Sequence, residues 1–587
     1  MSKILNRNKS QGRKKVSICW LLMVCCLMLN ACKKEKMDVE KDNRTVTDNR
    51  VASFVRLVNL TGFNQVIANG DSLTNFVVRD PQGPDYYKYP GTDYFPEDGR
   101  IGKIWTIPQD LFDQKETLEL KLFTRSFQGL YDEDLTLNVT NNYSQPTDYY
   151  LLPTRYMEGQ PAMVAVPRGV TAPAKPDHFK IRIVNLSGNI KNPASNSNGV
   201  QEDLQGALSL AFADGTLVDQ ATSNISVAQQ TSEYIEMPYG TYQFKVLTAN
   251  GRQVPGANGE LSDFKIIDPA TSTIPTGLME TSGLVYAPIK TYQPGGVYTM
   301  VITPQSFDYF INENDETAGT LQNAFQIIED NSVPANNTYA RIQAVNAWKN
   351  EDVGLHIDGT TIAQQIAFGD KSAYINQIKG KHKIEAVNAG GEVIASTELI
   401  VQPGQNYTAW LYAGLKGEAQ LLIVANDLSG SWYVERTSPD DATFNRFQFQ
   451  FYFHRRFLNL SPDNPYITFT QNDGQQPGNT AGNSDANENL QPGMPKLEQP
   501  YIRSSYNQLN FEIMAYRSTP TSVPGVWAQD IVPLQASAFV ANRILYEQAN
   551  RSVPVQEAGI YTIALIGPSG GNDGATKAKM ILIKHNK

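Results

Sequence analysis

The sequence predicts an all-β chain built from one repeated domain. Three observations carry that reading. Runs of roughly four to eight residues alternate apolar and polar side chains, as half-buried strands do, and Gly, Pro, Asn and Asp clusters separate them. A strand-and-corner pattern, Arg-x-apolar-Asn-Leu-Ser/Thr, returns at wide intervals. A turn followed by tyrosine and an apolar strand returns downstream of each copy.

In chain order, the first element is a targeting segment. Lys3, Arg7, Lys9, Arg13, Lys14 and Lys15 precede an apolar run from Val16 to Leu29, and no acid occurs before position 35. A run of about fourteen residues is short for a membrane span, which needs roughly twenty. A basic segment, a short apolar core and a small-residue site mark a secretory signal. Leu29, Ala31 and Cys32 resemble a bacterial lipobox, in which the cysteine is acylated and becomes the first residue of the mature chain. The expectation is a signal peptide over 1–31, lipidation at Cys32 and a disordered tether over 32–50. That tether is almost devoid of apolar residues and cannot bury a core. Lys33 fits passage to the outer membrane.

Cysteine and charge narrow the function classes. The four cysteines are Cys19, Cys25, Cys26 and Cys32, so the 555 residues beyond them hold neither a disulfide nor a cysteine-ligated metal. Lysine and arginine total 50 against 59 acids; without the six basic residues of the signal, 44 face 59, a net charge of −15. An acidic exported chain lacks the cationic surface that nucleic acid requires.

With 587 residues, about 150 per domain gives about four domains. The copies of the first pattern are Val55–Gly62, Ile181–Gly188, Arg455–Pro462 and a degenerate Ile342–Trp348, where Gln343 replaces arginine. Arg56, Arg182 and Arg456 are expected on the solvent-facing side of the strand or bracing a loop, and Gln343 marks the charge as dispensable. Asn59, Asn185, Asn346 and Asn459 are expected to bond backbone and shape the turn. The second pattern appears at Pro294–Thr299, Pro403–Thr408 and Glu557–Thr562, and more loosely at Gln145–Tyr150. Between them, Ser232–Val246 and Ser372–Val387 each place a tyrosine six residues before a strand-opening glycine. Phe447–Phe457 alternates most plainly, and "VAQQTSEYI" could form a short helix.

Tyr298, Tyr407 and Tyr561, each at the start of a late strand after a turn, resemble the tyrosine corner of immunoglobulin-like sandwiches, where the hydroxyl ties back to a nearby loop. The Asn-ending strand, the central Ala367–Gly380 and the terminal "PGQNYTAWLYA" resemble the DUF4397 repeat, a domain of unknown function in bacterial exported proteins, often Bacteroidota lipoproteins. The resemblance implies tandem immunoglobulin-like β-sandwiches: repeat 1 over 51–170, repeat 2 over 177–306, repeat 3, the best match, over 337–427, and repeat 4 with long insertions over 428–587. Sandwiches in series are expected to reach outward and present loops. The resemblance implies no activity and no catalytic residues.

The residues offer little chemistry. His178, His356, His382, His454 and His585 share no metal-ligand spacing, and HExxH and phosphate-loop motifs are absent from the sequence. Carboxylate pairs such as "YDEDL" and "PDDA" are ordinary in so acidic a chain. Gln471–Asn489 is rich in oxygen ligands without calcium-loop spacing and is expected to be an insertion; Asn312–Gly319 is expected to lie in the linker between the second and third domains. The expectation is therefore no cofactor, no metal and no enzyme. Two regions could touch a ligand. Tyr86, Tyr87, Tyr89, Tyr94 and Trp105 form an aromatic cluster, and Trp527 stands on a Pro-containing loop. The first function expected is an outer-membrane lipoprotein, surface-exposed or periplasm-facing, contacting another envelope protein in adhesion or scaffolding. The alternative is a glycan-binding accessory lipoprotein, similar in layout to the SusE and SusF proteins of polysaccharide uptake.

Overall fold

Each repeat opens on a strand rich in β-branched and aromatic residues, the types that fit a pleated surface. These strands are Ala52–Asn59, His178–Asn185, Tyr339–Ala347 and Phe453–Leu460, and each pairs on both sides within one sheet of its sandwich. The computed structural model describes residues 50–75, 78–79, 87–88, 90–97, 99–126, 129–154, 159–190, 204–256, 265–266, 289–310, 317–331, 333–428, 453–478, 486–503, 510–548, 553–557, 559–570 and 576–587. The signal segment, Cys32, Tyr86, Tyr89 and residues 447–452 lie outside them. The chain divides into two compact units, one through Tyr149 and one from Tyr150. It is nearly all β, as tandem sandwiches require.

In the first unit, Ala52–Asn59 lies between Thr147–Leu151 and Ile104–Pro108. The second sheet runs Asp71–Ser72, Gln65–Ala68, Thr117–Ser126 and Gly129–Thr140. Val55, Leu57, Val66, Leu120, Leu122 and Val139 are buried.

The second unit holds three sandwiches that share one register. In each, the opening strand runs parallel to the tyrosine strand: His178–Asn185 with Val297–Phe310, Tyr339–Ala347 with Asn406–Ala413, and Phe453–Leu460 with Gly559–Ile566. Arg182 aligns with Thr299, Gln343 with Thr408 and Arg456 with Thr562. A shared register across three copies means that one residue pattern specifies one pairing. The tyrosine strand then pairs antiparallel with Thr317–Glu329, Ala419–Ala425 or Lys579–Lys584.

Three differences from the sequence reading follow. Thr317–Glu329 pairs along its length with Val297–Phe310, so the second sandwich runs past 306 and Thr317–Gly319 belongs to a strand rather than a linker. The Thr299 and Tyr234 hydroxyls bond Asp330 at its end, which closes the sandwich there. Val227–Gln229 forms a turn, not a helix. The sandwiches of this unit also do not stand apart in series. Val345, Ala347, Trp410, Tyr412 and Val424 of the third sandwich share one apolar cluster with Leu458, Leu460, Ala564, Ile566 and Ile583 of the fourth. Their own cores are separate. Asn406–Ala413 and Gly559–Ile566 are therefore buried on both faces, one inside a sandwich and one between sandwiches.

Candidate functional site

The repeated asparagine is a corner device in every copy. Asn59 Nδ2 donates to the carbonyls of Phe63 and Gly102, and Asn185 Nδ2 to those of Gly206 and Ile225. Asn346 reaches Glu351 and Ile366, and Asn459 reaches Asn464 and Leu490. Each Oδ1 accepts from the residue two positions on, Thr61, Ser187, Trp348 or Ser461. One amide thus ties the end of the first strand to two other loops.

The tyrosines tie back as corner tyrosines do. The Tyr298 hydroxyl accepts from the Gln293 amide at 2.9 Å, and Tyr407 from Gln402 at 3.1 Å. Tyr561 instead donates to the Glu557 carbonyl at 3.0 Å. In the looser copy, the Tyr149 hydroxyl accepts from the Thr140 amide.

The repeated arginines do not face solvent. Arg56 is 4 % exposed and forks onto Asp148, Nε to Oδ1 at 2.9 Å and Nη2 to Oδ2 at 2.5 Å. Arg182 donates to Thr299 Oγ1 and the Pro167 carbonyl beneath the Tyr234 ring. Arg456 donates to Asn426 Oδ1 and the Ala425 carbonyl of the third sandwich. The strand face opposite the core is itself covered, so these guanidiniums brace neighbouring segments from buried positions.

Of the expected aromatic cluster, the side chains of Tyr94 and Trp105 are described, and those of Tyr86, Tyr87 and Tyr89 lie outside the described residues. Trp105 is buried against Phe95, with ring centroids 5.3 Å apart, because it lies on the inner side of Ile104–Pro108. Tyr94 is half-buried under the Arg50 guanidinium, 4.1 Å from its ring centroid. Tyr87 belongs to a short strand, Tyr87–Lys88, paired with Val78–Arg79. Trp527 stands on the strand Ser522–Trp527, not on a loop, and is 40 % exposed beside Val526 at 73 %. That strand ends its sheet.

A groove of about 250 Å³ on the third sandwich is lined by Asp352, His356, Gln364, Gln365, Asn388 and neighbours. His356 is engaged by the Thr361 hydroxyl at 2.9 Å. Among the described residues, no three His, Cys, Asp or Glu side chains are placed to hold a metal ion. Of the Gln471–Asn489 insertion, residues 479–485 lie outside those described, and Pro477 accepts from Arg455 Nη2.

Buried polar groups also meet between the sandwiches of the second unit. Glu557 is buried and accepts from the Tyr546 hydroxyl at 2.7 Å, with Lys245 Nζ at 3.4 Å and Lys584 Nζ at 3.7 Å. Burial alone would raise its pKa, but Lys245 and Lys584, with the hydrogen bonds from Tyr546 and the Ala541 amide, together outweigh that and hold it below the usual range. Burial brings Lys584 down to about 8 despite Glu557. Nearby, Arg341 donates to Asn406 Oδ1 at 2.6 Å and across to Thr241 Oγ1 of the second sandwich at 2.8 Å. Gln343 Nε2 donates to Thr408 Oγ1 at 2.9 Å and lies 3.3 Å from His585 Nδ1. Sequence reading singles out Gln343 but passes over Arg341, Tyr374, Asn426 and His585 as partners. Tyr374 carries a repeat signal; His585 carries none.

No family model matches the chain, and no curated protein matches it. Among solved structures, similarity is reported to the Bacillus anthracis TIE protein, at 10 % identity and TM-score 0.10, covering 62 % of this chain and 50 % of that one. A second match is a candidate cell adhesion protein from Bacteroides fragilis, at 12 % identity and TM-score 0.11, covering 43 % of this chain and 97 % of that one. The chain thus spans about half the length of the first. Superpositions this poor carry no argument about function. Among the described residues, no helix is long and apolar enough to cross a membrane.

Proposed function

We propose that the chain is a non-enzymatic envelope lipoprotein, anchored through Cys32 to the outer membrane, whose β-sandwiches serve in protein contact, adhesion or scaffolding. One observation carries the reading. Buried polar pairs of the second unit, Arg341 with Thr241 and Lys245 with Glu557, cross sandwich boundaries, while apolar side chains are exposed at a sheet edge, Val526 and Trp527. A body whose polar groups cross-brace it, and which leaves an apolar strand edge open, is suited to holding a partner. The signal-like start and the acidic mature chain support the anchor.

Photo-cross-linking from position 527 of the full chain in intact cells tests the contact. The expected result is a discrete adduct with one envelope protein. A glycan array and calorimetry on residues 51–587 test the competing reading; tight binding to a sugar, with no protein adduct, overturns the protein-contact function. Fatty-acid label should be lost from the Cys32→Ala chain, and its retention overturns the anchor.

A further inference from the structure

His585 lies at the meeting point of three sandwiches and is 2 % exposed. Its Nε2 is 2.7 Å from Thr562 Oγ1, and its Nδ1 is 2.8 Å from the Tyr374 hydroxyl and 3.3 Å from Gln343 Nε2. The Gln343 nitrogen can only donate. The Tyr374 hydroxyl accepts from Asn426 Nδ2 at 3.1 Å, which leaves its own proton for the ring. Nδ1 is therefore an acceptor, and the imidazole is the neutral tautomer that donates from Nε2 to Thr562.

The charges around the ring are mostly cations. Arg341 and Lys371 come from the third sandwich and Arg456 from the opening strand of the fourth, while Lys584 adjoins on the same chain segment. Lys371 Nζ donates to the Lys584 carbonyl at 3.0 Å, and Arg341 lies 4.8 Å from the Tyr374 ring centroid. Of the acids, Glu557 is occupied by Lys245 and Lys584, and the buried Asp427 follows Asn426 in the chain. Burial first, then Arg456, Lys371 and Arg341, push the His585 pKa well below its ordinary value.

The segment around this ring stitches the unit together. The His585 amide donates to the Ile560 carbonyl at 2.9 Å, and Asn586 Oδ1 accepts from the Ile560 amide at 3.0 Å. Asn586 Nδ2 donates to Gln243 Oε1 at 2.7 Å, and the Lys587 carbonyl accepts from the Gln243 amide at 2.7 Å. Asn586 and Lys587 therefore join the fourth sandwich to the second, while the His585 ring joins the fourth to the third.

We propose that His585 is an acid-sensitive latch: the neutral ring holds residues 585–587 between the three sandwiches, and one proton taken up at Nδ1 releases them. That proton faces the Gln343 N–H group, forces the Tyr374 hydroxyl to turn away, and adds a fourth charge to Arg341, Lys371 and Arg456. The sign follows from linkage. The closed ring resists protonation, whereas a released ring titrates near 6.5. The closed junction is unpenalised above that pH and weakens as pH falls below it.

Hydrogen exchange of the full chain tests this at the Gln243 amide, whose acceptor is the Lys587 carbonyl. Its protection factor should fall about 16-fold between pH 6.5 and 5.0, as uptake of one proton by a released ring titrating near 6.5 requires. In parallel, selective ¹⁵N labelling of the five histidines should show one ring in the Nε2–H form that stays neutral at pH 6. His585→Gln, which takes no proton, should flatten the dependence. Lys371→Met, which removes one repelling cation and so raises the pKa of the closed ring, should make the dependence level off at a higher pH, and it remains informative if the glutamine variant does not fold. Protection that is unchanged down to pH 5.0, or an equal acid response in both variants, overturns the latch.

Discussion

Asn346 makes two bonds to backbone carbonyls and receives one from the Trp348 amide, all from a buried position. Asn346→Ala leaves these groups without partners, and each buried orphan costs about 1–3 kcal/mol. The expected outcome is a loss of about 2–4 kcal/mol in urea unfolding, larger than for an exposed asparagine such as Asn510. A buried charge follows a different rule. Asp148→Ala strands the Arg56 guanidinium and should cost about 3–5 kcal/mol, whereas Arg56→Met with Asp148→Leu should recover most of that loss. Thermal melts of the three chains check the pair. Asparagine and tyrosine were legible because their partners lie within or beside their own repeat. Of the two places expected for the arginines, solvent or a braced loop, the second holds; alternation assigns the second strand face to solvent, and nothing local announces that another segment covers it.

At the scale of the element, the tyrosine strands read as alternating and half-buried, yet Gly559–Ile566 is buried at every position. Its near-continuous apolar character was visible in "YTIALIG"; what it packed against was not, since the other half of that cluster lies more than a hundred residues earlier. The neighbouring strand, Lys579–Lys584, ends in a lysine whose folded pKa is lowered to about 8 against an ordinary 10.5. The folded state therefore binds fewer protons than the unfolded one between those values, and stability rises with pH across that window. Lys584→Met should remove this rise, measured as chemical-denaturation midpoints from pH 7.5 to 10.5. A parallel rise in the variant would assign the effect to another group.

For the whole molecule, the fold class followed from patterns inside the chain, whereas the arrangement of sandwiches depended on faces meeting across long separations. Leu458 and Leu460 of the fourth sandwich meet Trp410 and Tyr412 of the third in a cluster distinct from either core. If this shared layer couples the sandwiches, the second unit unfolds as one body rather than as independent beads. Each sandwich has its own core, so breaking the layer should separate them without unfolding them. Leu460→Asp buries a charge in the layer, which costs several kcal/mol unless the interface opens. Differential scanning calorimetry of the full chain should show one endotherm for the second unit, and the variant should split it in two at lower temperature. An unsplit endotherm shifted as a whole would mean that Leu460 serves the fourth core, and independent melting in the unaltered chain would mean that the layer does not couple the sandwiches.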